Sequence, residues 1–415
     1  MTFWGYPRPD GKVGARNHIA VIASVFCANQ VVQRIAQQVQ GAVALTHPLG
    51  CGHLGWDLDV TLRTLRGFGR NPNVAAALVV GLGCERLSAF ELADGIATTG
   101  KRTEAFLIQE AGGSIKAIEK GITLASEMVR EASRLSRQEF PLDKLVVALK
   151  CGGTDATSGI AANPAVGMAA DRFLAEGASA LFCEVTELLG AEHLLAKRAV
   201  SPAVARKLLD IMQQTEDRMA EKAANPLHRG RGSLVAPGNI DGGVTTVEEK
   251  ALGGMRKAGT GPIHGVLAFA EEIPGKGLYL MDTPGHDAES VTSMVAAGAQ
   301  VVLFTTGRGT PTGCPIAPVI KITGNSRTYA LMQDNMDINA GTIIDGTASI
   351  NEVGACIYEE TLAVASGKAT KARGLSQNSA RKMLHETPRK KRKKFAKANA
   401  AKRHSANLAA FGGKY

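Results

Sequence analysis

The chain has little of what secreted and membrane-spanning proteins depend on. Its seven cysteines, Cys27, Cys51, Cys84, Cys151, Cys183, Cys314 and Cys356, are odd in number and widely spaced, unlike the paired framework of a secreted disulfide domain. The first residues lack a charged segment followed by an apolar one, so no export signal is expected. No run of about 18 uninterrupted apolar residues occurs, which leaves no segment expected to cross a membrane. No internal repeat is evident. These absences make a reducing cytoplasm the expected setting.

An excess of one charge is also missing from most of the chain. The formal net charge is +10, but from Arg381 to the end twelve Lys/Arg face one Glu, a balance of +11. The preceding body is therefore close to neutral. A run such as Arg389-Lys390-Lys391-Arg392-Lys393-Lys394 suits nucleic acid or another acidic surface. Its composition equally fits a solvated, disordered extension, and that is the expectation.

Glycine, by contrast, is abundant. Forty-seven glycines cluster after apolar runs, in a chain of 415 residues with 45% hydrophobic and 21% charged residues. That length and composition predict two α/β lobes, each with its own sheet. Apolar runs at 18–24, 74–81, 145–149, 180–185, 263–270, 278–281 and 300–305 read as strands. Longer amphipathic segments at 29–40, 114–135 and 202–222 read as helices. The expected fold is α/β, with mainly parallel sheets in two Rossmann-like lobes and catalytic loops at the strand carboxyl ends. The expected boundaries are 1–140 and 141–372, with a basic tail over 373–415. Residues 225–245 read as a long functional loop or a connection between lobes.

Chemistry-bearing residues follow the strands. Gly81 to Glu85, Lys150 to Asp155, Cys183 to Glu187 and Thr305 to Thr310 all lie where parallel strands end. Ligands bind at that edge of an α/β sheet, and glycine lets backbone N–H groups approach an anion there. Cys51, Cys84 and Cys151 sit in such glycine-rich turns, with His47 and His53 beside Cys51. Converging thiolates could hold an iron–sulfur cluster with one open iron, or a single metal with His47. Packing or redox roles for these cysteines stay open. Cys27, Cys183 and Cys356 read as small buried hydrophobes.

Glu184 and Glu187 would share a helix face and could act as ligand or general base, or simply begin a helix. Lys150, Arg308 and Lys321 suit a carboxylate substrate. Asp155 with Ser158, and Asn239 with Thr245 and Thr246, offer hydrogen bonds to hydroxyl groups, although turn chemistry explains them equally well. Cations, a metal, a base and an acid together suit proton abstraction alpha to a carboxylate with loss of a β-hydroxyl. A metal-dependent hydrolase is not excluded.

Several segments, taken in order, resemble the altronate/galactarate dehydratase family, which includes the large subunit of sulfolactate sulfo-lyase. They are Gly5 to Asn17 (GYPRPDGKVGARN), His47 to Gly52, Gly81 to Glu85, Lys150 to Pro164 (KCGGTDATSGIAANP) and Glu184 to Glu192. Pro237 to Gly253, MDTPG at 281–285 and FTTGRGTPTG at 304–313 complete the set. The resemblance implies an iron-dependent lyase that dehydrates an aldonate or aldarate to a 2-keto-3-deoxy acid. Cys51, Cys84, Cys151 and His47 would hold the iron or cluster. Glu184 or Glu187 would be the base, with Lys150 and Asp155 beside them in the catalytic group. Lys150 and Arg308 would bind the carboxylate, with Lys321 as a further substrate-binding residue.

Other members carry a small SAF-type domain ahead of the opening motif. A separate small SAF-type subunit is therefore expected here, within an oligomer, and neither a membrane nor nucleic acid is expected as a partner. Sulfolactate sulfo-lyase, releasing bisulfite, is the alternative within the family. An inactive subunit, or one associated with nucleic acid through its tail, is the alternative outside it. The chain departs from the family in its Lys/Arg-rich end and in Cys314, which has no dependable counterpart.

Overall fold

The computed structural model describes residues 1–52, 54–224 and 235–371, with the side chains of 222–224 also left aside. His53, residues 225–234 of the expected 225–245 loop and the whole 373–415 tail lie outside the described residues, and the rest of that loop contains the short helix Pro237–Asp241.

Three sheets organise the described residues. A four-stranded parallel sheet has the order β4-β3-β5-β6, with β3 His18–Ala23, β4 Ala42–Leu45, β5 Val74–Gly81 and β6 Thr103–Leu107. A seven-stranded parallel sheet has the order β10-β11-β9-β8-β12-β13-β14. Its strands are β8 Val146–Cys151, β9 Ser179–Phe182, β10 Ile263–Leu267, β11 Leu278–Met281, β12 Val301–Thr306, β13 Val319–Thr323 and β14 Ile338–Asn339. The third sheet is small and antiparallel, β2-β1-β7, formed by β1 Thr2–Pro7, β2 Val13–Gly14 and β7 Gln138–Pro141. The expected helices appear as Asn29–Gln38, Ser114–Ala132 and Pro202–Ala224. Sequence periodicity and fold class agree.

The large sheets share a core. One apolar cluster contains Ala20, Ile22, Leu45 and Val79 from the first and Ala148, Leu181, Met281 and Phe304 from the second. Helices Trp56–Arg70 and Asp287–Ala296 pack together between them. A polar knot ties the same junction. Asn73 accepts from Ala15 N at 2.8 Å and donates to Gln300 O at 2.9 Å, while Asn71 donates to Val295 O and Ala299 O at 2.7 and 2.9 Å.

The opening motif belongs to this knot. Arg8 donates to Pro72 O, Arg16 O and Asn17 Oδ1, and Arg16 donates to Val364 O and Lys368 O near the end of helix Ile350–Ala365. A Cβ on Gly14 would lie 2.1 Å from Pro72 O, so only glycine fits there. The segment 5–17 is architecture: its arginines satisfy buried carbonyls that would otherwise be orphaned.

Candidate active site

Each large sheet has one topological switch point, where successive strands are added on opposite sides of a starting strand. In the four-stranded sheet it lies between β3 and β5, in the seven-stranded sheet between β8 and β12. The loops that leave β3 and β5 carry Cys27 and Cys84 in the first case, and β8 itself ends on Cys151 in the second.

Behind the second switch point lies a sealed charge network. Lys150 donates to Glu184 Oε1 and to Cys151 O, and its ammonium stands 3.0 Å from Asp287 Oδ1. Lys257 donates to Glu184 Oε2 at 2.7 Å, and Cys151 N donates to the same oxygen at 3.1 Å. Lys150, Glu184 and Lys257 are fully buried. Burial opposes each charge, but mutual attraction prevails: Glu184 is held below its usual range by Lys150 and Lys257, and both lysines are raised by Glu184. A carboxylate clamped in this way is a weak base. Glu184 also adopts the left-handed backbone, φ 78° and ψ 56°, which costs a non-glycine residue about 1–2 kcal/mol. The expectation of a shared helix face for Glu184 and Glu187 is corrected here, because Val185–Glu187 is a single 3₁₀ turn entered from that strained residue.

In front of the network is a cavity of about 210 Å³ whose lining includes Cys151, Thr154, Asn163, Glu187 and Lys250. Glu187 Oε1 lies 2.8 Å from Lys250 Nζ. Burial, and then the charge of Glu184, push the Glu187 carboxyl above its usual range despite Lys150 and Lys250. A wide π-type turn, Ser158–Ala162, forms part of the wall, a geometry that recurs at functional sites. It delivers Asn163, which donates to Gly253 O at 3.0 Å and approaches Cys151 Sγ at 3.6 Å. The Thr305 hydroxyl donates to Asn163 Oδ1 at 2.6 Å, which fixes the amide's orientation.

Asp155 also lines the cavity, and the remaining candidates have other roles. Asp155 accepts from Thr157 Oγ1, Ser158 N and Asn325 Nδ2, cross-linking the loops that follow β8 and β13. Ser158 donates to that same carboxylate, so the pair forms a turn on the cavity's edge. Thr246 caps helix Val247–Gly254 and Thr245 bonds Glu249, which are capping roles. Asn239 is buried in the short helix Pro237–Asp241. Arg308 is exposed and donates to Gly238 O at 3.0 Å. Lys321 shares a row of the sheet with Phe304 and Lys150. Its Nζ is buried without a hydrogen-bond partner, and burial pushes its pKa down to about 8. It is not part of the cavity lining.

The proposed metal ligands do not assemble. The His47 ring contacts Ala23 O and Leu49 N through its two nitrogens, at 2.9 and 3.2 Å. Cys51 Sγ lies 3.9 Å from Cys84 O at the first switch point, with Cys27 also near Cys84, whereas Cys151 lines the cavity of the second lobe. Among the described residues no three His, Cys, Asp or Glu side chains converge as a metal would require. Iron held by His47, Cys51, Cys84 and Cys151 therefore does not fit this arrangement, and no chemical step is assigned to it. The glycine-rich turn at Gly81 also has its own anion: Glu85 accepts from Leu82 N, Gly83 N and Cys84 N at 3.1, 2.7 and 3.0 Å. Cys27 and Cys356 are exposed, against expectation. Cys183 is buried, and its thiol is pushed up to about 12 by that burial.

Lys250, Lys257, Asn163 and Asp287 were invisible as site residues. Lys250 and Lys257 occur in Glu-Glu-Lys-Ala and Met-Arg-Lys-Ala, which read as solvated helix. Asn163 precedes Pro164, a pairing that signals a helix start and nothing more.

A largely buried acid–base pair in a cavity at a strand-end switch point points to an α/β enzyme. Comparison with known proteins gives the family. Residues 142–386 match the model for "D-galactarate/Altronate dehydratase, C-terminal", and residues 5–133 match "D-galactarate dehydratase/Altronate hydrolase, second domain". The chain is 38% identical to the (2R)-sulfolactate sulfo-lyase subunit beta of Chromohalobacter salexigens, over 90% of this chain and 95% of that one. It is 34% identical to the altronate dehydratase of Bacillus subtilis, over 83% of this chain and 70% of that one. It is 36% identical to the galactarate dehydratase (L-threo-forming) of Escherichia coli, over 88% and 73% respectively. The chain belongs to the galactarate/altronate dehydratase family and is an enzyme of the lyase class. Among the described residues no helix is long and apolar enough to cross a membrane.

Proposed function

We propose that the chain is the catalytic subunit of a hydro-lyase that converts an aldonate or aldarate to a 2-keto-3-deoxy acid, working with a separate small subunit. The observation that carries this reading is Glu187, a carboxyl with a raised pKa paired with Lys250 inside the cavity. A base that abstracts a proton alpha to a carboxylate works best when its pKa lies near the working pH. Burial and the fixed negative charge of Glu184 move Glu187 in that direction.

In the proposed reaction Lys250 holds the substrate carboxylate and stabilises the negative charge that builds on it. Glu187 takes the alpha proton, and the electrons of that C–H bond form the new C=C bond as the β-hydroxyl departs. The protonated Glu187 returns the proton to the leaving oxygen, so water is released and the enol product tautomerises to the keto acid. Asn163 and the Lys150–Glu184–Lys257 network keep the cavity wall and Cys151 in place. We also place the enzyme in a reducing cytoplasm, because four free cysteines are exposed and an oxidising compartment would cross-link them.

A second reading, release of bisulfite from sulfolactate, is favoured by the match over 95% of the sulfo-lyase subunit. Assaying keto-acid formation on a panel of sugar acids, and bisulfite formation from sulfolactate, separates the two. Sugar-acid turnover that disappears in Glu187→Gln supports the first. Bisulfite release alone supports the second, and no turnover of either class with the small subunit present removes both.

A further inference from the structure

Three cysteines gather at the carboxyl edge of the four-stranded sheet, apart from the cavity of the second lobe. Cys27 follows β3, Cys51 follows β4 and Cys84 follows β5, and all three are exposed. The strand order β4-β3-β5 sets those loops side by side. The Cys51 and Cys84 thiols hydrogen-bond to each other, and Cys51 Sγ also lies 3.9 Å from Cys84 O. Cys27 is near enough for its charge to act on Cys84. Among the described residues no such group converges as a metal would require. A buried cysteine packs as a small hydrophobe, but an exposed pair in contact packs nothing, so its reactivity is what matters.

The backbone on both sides of the pair is anchored. Leu49, just before Cys51, accepts from Phe26 N at 2.8 Å, and its own N–H reaches the His47 ring at 3.2 Å. Glu85 fastens the other side, accepting from Gly83 N and Cys84 N at 2.7 and 3.0 Å and from Ser24 Oγ at 2.8 Å. Between these anchors the Cys51 loop has room to adjust, because a Cβ on Gly50 or Gly52 would meet nothing within 4 Å. A disulfide brings its sulfurs to about 2 Å, a short movement for side chains already in contact.

We propose that Cys51 and Cys84 form a reversible oxidant-sensing dithiol, closed to a disulfide by a peroxide and reopened by a dithiol reductant. With hydrogen peroxide, one sulfur is oxidised to a sulfenic acid and water leaves. The second sulfur attacks it, the S–S bond forms, and the sulfenic oxygen departs as a second water. The pair gives up two electrons, which reduce the O–O bond, and both thiol protons end in water. Reopening is thiol–disulfide exchange, in which the incoming dithiol is oxidised. The bond ties the loops after β4 and β5 across the end of β3 and spares Cys151 and Cys183, which are buried. Transient disulfides of this kind belong to a reducing compartment.

The test uses the full-length chain, reduced and then exposed to hydrogen peroxide, with linked peptides read by mass spectrometry after non-reducing digestion. Two of the seven thiols should disappear together, a Cys51–Cys84 peptide pair should form within one chain, and dithiothreitol should restore both. In Cys51→Ser and Cys84→Ser that pair is absent, and dimedone traps the remaining cysteine as its sulfenic acid. Cys356→Ser, on helix Ile350–Ala365, should give the wild-type result. Loss of Cys51 and Cys84 should outrun loss of Cys356 roughly 10-fold or more, the advantage of partners already in contact. Thermal unfolding checks that the serine variants fold, and the wild-type peptide map decides the matter if one does not. Cross-links between chains, a pair that includes Cys27, or oxidation of Cys51 and Cys84 no faster than that of Cys356 overturns the proposal.

Discussion

The two switch points are built alike and filled differently. In the four-stranded sheet the loops after β3, β4 and β5 leave Cys27, Cys51 and Cys84 exposed, and the N–H groups of the turn after β5 are satisfied by Glu85 from the same turn. In the seven-stranded sheet Cys151, the last residue of β8, is buried beside Lys150, Glu184 and Lys257 and lines a cavity. One edge has closed its anion site internally. The other keeps an acid and a cation in a chamber large enough for a sugar acid. The same topology thus offers two candidate sites, and side-chain charge decides which one is equipped for acid–base chemistry.

The largest test of that contrast is Glu187→Gln, expected to lower kcat by about 10²–10⁴, the usual contribution of a general base, while thermal unfolding stays close to wild type. Activity should also fall as pH drops through the Glu187 pKa, because the base must be deprotonated. That limb lies above the ordinary carboxylate range, since burial and Glu184 raise the group. In Lys250→Met the residual activity should show the limb at still higher pH, because one of the two charges that lower Glu187 is gone while Lys150 remains. A limb that stays put in a pH–rate profile would take the base role away from Glu187.

Next in size is the sealed network. Lys257→Met leaves Glu184 with one of its two ammonium partners, and breaking a buried pair costs about 3–5 kcal/mol. Lys12→Met, at the half-exposed Lys12–Glu272 pair, should cost no more than about 1 kcal/mol. Urea denaturation of both variants checks the ratio, and equal losses would mean the network is not sealed. Smaller again is Gly307→Ala. Its Cβ would sit 1.9 Å from Asp155 Oδ1, and overpacking of this kind costs about 1–3 kcal/mol. The least perturbing experiment is thiol labelling of the native protein. Cys27, Cys51, Cys84 and Cys356 should react promptly, and Cys151 and Cys183 only on unfolding. Early labelling of Cys151 would show that the cavity admits reagents through an open mouth.

Much of the fold was legible because buried parallel strands are short apolar runs. Val74–Gly81 and Leu278–Met281 match their predicted limits. Strand β13 was missed because Lys321 interrupts its apolar pattern, and β6 because Thr103 and Glu104 open it on a partly exposed edge. The site was legible only in part. Cys151, Glu184 and Glu187 stood out as polar residues at strand ends. Lys250 and Lys257 did not, since a lysine that neutralises a distant carboxylate carries no local mark. Glycine turns misled for a related reason: a turn shaped to hold an anion does not disclose that the anion is Glu85 of the same turn.

The apolar cluster that runs from Ile22 and Val79 through to Met281 and Phe304 makes the two sheets mechanically one body. Pivoting one against the other would tear that cluster open and expose side chains from both, so a clamshell motion is closed to this molecule. Traffic through the cavity has to be regulated at its rim, by pieces as small as helices Pro237–Asp241 and Val247–Gly254. The same continuity ties the two halves together in folding: the second sheet cannot bury its inner face until the first is present, and the pair should melt in a single cooperative step.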